Sequence, residues 1–230
     1  MKILPAACLV VLVLALAGCQ TAGVGPDQAT TFFNEVAYRS SPGGHPVSLA
    51  ARTTEAYRQA KLRRWESDLV LHLGGAAVPD LRAHGRRVMG DLAALAGLGL
   101  TETDDAEAAN FVILFEDRQQ FLAGVAERAS CYAHIRARGG VLHHVEIHVG
   151  LRNEGLLKHC LSHEILHGFG LVHTNALPSA VNYAYWVDLP TRWDRLAVRT
   201  LYDRRLTVDM DRIEGLAIAH DILTETMDDD

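Results

Sequence analysis

Residues 163–173 read His163-Glu164-Ile165-Leu166-His167-Gly168-Phe169-Gly170-Leu171-Val172-His173. Their types and spacing suit metal-assisted hydrolysis. On a helix of 3.6 residues per turn, His163 and His167 project from one face, one turn apart. Two imidazoles so placed can share one zinc ion. Glu164 stands beside them, offset around the helix, where its carboxylate can reach a water without displacing it and act as general base. Gly170 tolerates positive φ, so it can end the helix and turn the chain. His173 then swings back as a third metal ligand. Three protein ligands leave a fourth position for water, which is the catalytic rather than the structural arrangement. The alternative is a surface helix that merely carries histidines. Leu157, Leu161, Ile165 and Leu166 argue against it, because they form an apolar stripe that packs the helix.

The elements that must position these side chains follow from patterning. Residues 30–39 read as a short amphipathic helix with Phe33, Val36 and Ala37 on one side. Residues 67–73 (SDLVLHL) are strand-like and end at Gly74-Gly75. Pro79 opens a helix whose buried face is Leu81, Val88, Leu92 and Leu95. Residues 110–116 (NFVILFE) form a continuous apolar run of strand length, which predicts a central strand. Residues 131–136 and 141–149 flank Gly139-Gly140 as a hairpin. Asn153 can cap a helix running to about Phe169. Two further helices are expected over 191–202 and 211–225. The order predicts an α+β single domain: a mixed twisted sheet, an active-site helix and C-terminal helices.

Met1-Lys2 and the apolar run 3–17 have the form of a signal peptide, too short for a membrane span of about 20 residues. The run ends in Leu16-Ala17-Gly18-Cys19, which resembles a lipoprotein lipobox. That resemblance implies acylation of Cys19 and a lipid anchor in the membrane. It implies a location in the bacterial envelope, with Gln20 favouring an outer-membrane lipoprotein facing the periplasm. The alternatives are an ordinary secretory signal and an uncleaved anchor. The expected organisation is a signal peptide over 1–18, a tether with an N-terminal helix and loop over 19–66, and a catalytic domain over 67–230. Cys131 and Cys160 then remain in an oxidising compartment, where they most simply pair as a disulfide; two buried thiols are the alternative. With 22 Lys+Arg against 28 Asp+Glu, the net charge of −6 argues against a nucleic-acid partner. A monomer is expected.

The constellation resembles the metzincin zinc peptidases, whose signature is HExxHxxGxxH followed by a methionine-bearing turn. Ser179-Ala180-Val181-Asn182-Tyr183 is similar to that turn, with Val181 where the methionine belongs. Thr174 and residues 189–202 resemble the corresponding parts of matrixins, and the likeness spans roughly residues 67–203. The chain also resembles a group of uncharacterised exported bacterial zinc peptidases. This resemblance implies a zincin-like fold, one catalytic Zn2+, and a peptide or protein substrate pairing with an edge strand. It also implies a role for Tyr183 as an oxyanion donor, against the simpler reading that its ring packs below the site. A departure at Val181 keeps a second expectation open, a non-catalytic zinc-stabilised lipoprotein that binds a partner.

The remaining histidines, among twelve in all, read differently. His159 lies two turns from His167, about 12 Å away, too far to share an ion. His144, Glu146 and His148 share one strand face, which is expected to be solvated, with a second metal site as the alternative.

Overall fold

The computed structural model describes residues 25–38, 59–76, 78–122, 130–151, 154–175 and 178–228. Cys19, the signal segment and the Asn153 cap lie outside the described residues. In chain order the elements are α1 (Pro26–Ala37), β1 (Arg64–Trp65), β2 (Leu69–Gly75), α2 (Pro79–Ala96), β3 (Leu100–Glu102), β4 (Phe111–Glu116), α3 (Arg118–Leu122), β5 (Cys131–Arg138), β6 (Val141–Gly150), α4 (Glu154–Gly168), α5 (Arg192–Leu201) and α6 (Arg212–Asp228). The architecture is α+β with a mixed sheet.

β2, β3, β4 and β6 run parallel, in the order β3-β2-β4-β6. β1 adds a short parallel pairing to the start of β6, and β5 returns antiparallel along nearly all of it. The uninterrupted apolar run Phe111–Phe115 is central, as its pattern predicts: β4 sits between β2 and β6. In β6, Val145, Ile147 and Val149 are fully buried and the residues between them are half-buried, the alternation of a sheet with two unlike faces. Among the described residues β5 pairs only with β6 and so is an edge strand, with β3 at the opposite edge, while β6 has partners on both sides. The β-hairpin is expected from Gly139-Gly140; which arm lies outside depends on β4 pairing with β6, a nonlocal contact.

Helix α1 begins at Pro26, four residues before the patterned start, since proline suits the first helical position. Phe32, Phe33 and Val36 bury it in the same core as the rest of the molecule. Helix α4 lies on the sheet through Leu157, Leu161, Ile165 and Leu166, each at most 0% exposed. Its last turn approaches the sheet closely: a Cβ on Gly168 would lie 2.5 Å from the Phe111 ring, so only glycine fits. Trp65 Nε1 donates to the Gly168 carbonyl at 2.8 Å and ties β1 to the end of the same helix.

Cys131 and Cys160 form a disulfide that joins the start of β5 to α4 across 29 residues of sequence. Closing a loop of that length removes about 3–4 kcal/mol of unfolded-chain entropy. The double variant Cys131→Ser/Cys160→Ser is therefore expected to lose roughly that much stability in an oxidising buffer, read by denaturant unfolding. An unchanged midpoint would show that the bond contributes nothing. No helix among the described residues is long and apolar enough to cross a membrane.

Candidate metal centre

The three histidines singled out by spacing come together. His163 Nε2 lies 2.9 Å from His173 Nε2 and 3.0 Å from His167 Nε2, and His167 Nε2 lies 2.9 Å from His173 Nε2. Helix α4 supplies the first two, one turn apart, as the helical period requires. Gly170 supplies the reversal that brings the third: its φ is +100°, and a Cβ there would lie 1.9 Å from the Arg63 carbonyl oxygen. Any other residue would be strained in backbone and in space.

Neighbouring carbonyls fix the ring orientations. His163 Nδ1 donates to Ala180 O at 2.7 Å, and His167 Nδ1 donates to Leu171 O at 2.8 Å. With the proton of each neutral ring on Nδ1, the Nε2 atoms present lone pairs. Burial, with the adjacent His173 ring, pushes His163 down to about 4, so this ring is neutral at physiological pH. The His163 and His167 lone pairs, 3.0 Å apart, repel one another unless a positive centre lies between them. A divalent ion bound to all three nitrogens resolves that conflict, and a donor set of three imidazoles suits zinc. Among the described residues this is the group of His, Cys, Asp or Glu side chains whose ligand atoms converge within metal-binding reach.

The centre opens into a cleft of about 480 Å³. Glu164, His167, His173 and Tyr183 line it together with residues 131–135 of β5. Burial pushes the Glu164 carboxyl up to about 8; a nearby cation would favour its ionised form. The Tyr183 ring lies 4.2 Å from the His173 ring and 5.5 Å from that of His163, and the residue is 56% exposed. It therefore lies against the His173 ring with more than half of its surface open to solvent. Its hydroxyl is pushed above the usual phenol range by burial and by the Glu164 charge.

The turn 179–182, whose Ala180 carbonyl meets His163, is closed by Asn182 N–H donating to Ser179 O at 3.0 Å. Val181 is fully buried there. Sequence reasoning missed the residue that holds this turn. Asp194 is fully buried and accepts hydrogen bonds from Ser179 Oγ, from Ala180 N at 2.9 Å, and from Thr191 N and Oγ1, both at 2.8 Å. Burial outweighs these bonds and pushes its carboxyl above the usual range. The spacing Thr191-x-x-Asp194, a capping box at the start of α5, was the available signal.

His159 stays outside the centre. Its Nδ1 lies 2.8 Å from Val187 O, and its ring faces Trp186 at 5.1 Å. The polar trio of β6 is more organised than a solvated face. His148 Nε2 meets Glu146 at 2.9 Å and His148 Nδ1 meets Glu116 at 3.1 Å, while Tyr132 stacks on the His148 ring at 4.5 Å. This is a carboxylate–imidazole–carboxylate chain, each nitrogen facing a different partner, so the three do not converge on one ion.

No curated protein matches the chain. A family model matches residues 31–220, from the second half of α1 into α6 and so across every element that builds the centre; the chain belongs to the family described as Protein of unknown function (DUF2927).

Proposed function

We propose that the protein is a zinc-dependent metallopeptidase with a zincin-like fold, exported and held in the envelope by a lipid on Cys19. The observation that carries this reading is the meeting of three Nε2 atoms within 3.0 Å at the head of an open cleft that also contains Glu164. His163, His167 and His173 would hold the ion. When bound, zinc supplies Lewis acidity, polarising a carbonyl oxygen and lowering the pKa of water toward 7.

The chain's own residues account for the rest. Glu164 takes the proton from the water attacking a peptide carbonyl and passes it to the departing amine. Tyr183, which lines the cleft, donates its hydroxyl hydrogen to the developing oxyanion. Strand β5 pairs with β6 on one side, so its other edge can take an extended substrate as an added strand. The lipid anchor and the envelope location rest on residues 1–19, read from sequence.

Val181 favours a second reading, in which the zinc-bound fold only binds a partner. One experiment separates them: metal analysis of the purified protein together with cleavage of a peptide library, with and without a chelator. Stoichiometric zinc and chelator-sensitive cleavage are expected. His167→Ala should lose most of the metal and all cleavage. Bound zinc with no cleavage selects the binding protein, and failure to take up zinc rejects both readings.

A further inference from the structure

Two of the three ligands ride on a rigid helix, but His173 follows Gly170 on a stretch without regular secondary structure. Thr174 N–H donates to Val181 O at 3.4 Å, and further support comes from the N-terminal helix, far away in sequence. Val172 N–H, just before the ligand, donates to Val36 O at 2.7 Å. Thr174 Oγ1, just after it, donates to Glu35 Oε2 at 2.8 Å. The end of α1 thus grips His173 on both sides.

Helix α1 is itself braced. Phe32 packs against Trp193 at 5.6 Å, and Val36 is fully buried. Arg212, 3% exposed, donates from Nε to Asn34 Oδ1 at 2.7 Å and from a terminal nitrogen to Asn34 O at 3.1 Å. The same guanidinium lies over the Tyr38 ring at 5.0 Å. The C-terminal helix therefore fixes α1, and α1 fixes the third ligand.

We infer that Glu35 is a positioning residue for the metal centre: its carboxylate, with the Val36 carbonyl, holds the Val172–Thr174 segment so that the His173 ring meets the other two. The inference rests on the metal reading above. Groups hydrogen-bonded to a metal-ligating side chain typically change affinity by about 10–100-fold; Glu35 acts through the segment that carries the ligand, where a ring free to wander must likewise be ordered when the ion binds.

The test is zinc affinity of the full chain, measured by competition with a chromogenic chelator, with the visible spectrum of the cobalt-substituted protein as a second readout. Glu35→Ala and Thr174→Val are each expected to weaken zinc by about 10–100-fold and to alter the cobalt bands. The double variant should be no worse than either single. Glu35→Gln keeps an oxygen that accepts the Thr174 hydroxyl and should bind within a few-fold of the parent. Leu92→Ala, a buried site on α2, should lower the melting temperature yet leave zinc affinity alone, which separates positioning from general stability. A parent that binds zinc while both Glu35→Ala and Thr174→Val match it overturns this inference alone. A parent that binds none overturns the metal reading as well.

Discussion

Replacing Glu164 by alanine is expected to leave zinc bound and to cut kcat/KM by about 10²–10⁴-fold, the usual contribution of a general base. The metal should stay because the three nitrogens that converge belong to His163, His167 and His173: the Ala180 and Leu171 carbonyls orient the first two rings, the end of α1 holds the segment of the third, and none of these contacts involves Glu164. The rate should fall because, among the acidic side chains, Glu164 is the one that lines the cleft with those rings. Glu164→Gln, which keeps the size and loses the charge, should behave like the alanine variant. Equal zinc content and equal melting temperature in all three proteins would tie the loss to proton transfer. Parent-like cleavage by either variant would falsify the assignment of the base. A parent without activity, indistinguishable from Glu164→Ala in every assay, would instead move the protein to the binding reading that Val181 favours.

How far the site could be read in advance depended on how local each feature is. The His163–His167 pair needs only the helical period, and Gly170 needs only its freedom at positive φ, so an eleven-residue window specified the three rings that converge. The β5–β6 hairpin is equally local. The capping box at the start of α5 is local too and was missed; the rest of what escaped was nonlocal. Whether β5 or β6 is the edge depends on β4 pairing with β6, more than 30 residues away in sequence. The face bearing His144, Glu146 and His148 looks solvated by alternation alone. Only the approach of Glu116 from β4 and Tyr132 from β5 places His148 between two carboxylates and under a stacked ring. Likewise nothing around residue 35 points to residue 174, some 139 positions on. The N-terminal helix reads as an amphipathic preface and proves to be part of the frame around the third histidine.

Asp194 is the second position where a large effect is expected, and it touches no metal ligand directly. A carboxylate three residues into a helix usually reads as a solvent-facing first-turn charge. Here it is buried, and its oxygens take up the Ala180 and Thr191 N–H groups and the Ser179 and Thr191 hydroxyls. Asp194→Ala would orphan the buried Ala180 N–H and the part-buried Thr191 N–H and remove the capping box, for a loss of about 3–5 kcal/mol. In a chain of this size that lowers the melting temperature by about 10 °C. Asparagine should do much less damage. Its oxygen can keep the Ala180 and Thr191 donors while its amide turns toward Ser179 Oγ, so roughly a third of the alanine loss is expected. The effect should also reach the metal. Ala180 receives Asp194 at its N–H and offers its carbonyl to His163 Nδ1, so one residue links the buried carboxylate to the first ligand. Zinc affinity of Asp194→Ala, measured on the folded protein at low temperature, should fall about 10–100-fold. An Asp194→Ala protein as stable as its parent would mean that the turn holds itself. A destabilised one with unchanged zinc affinity would mean that the link ends at Ala180.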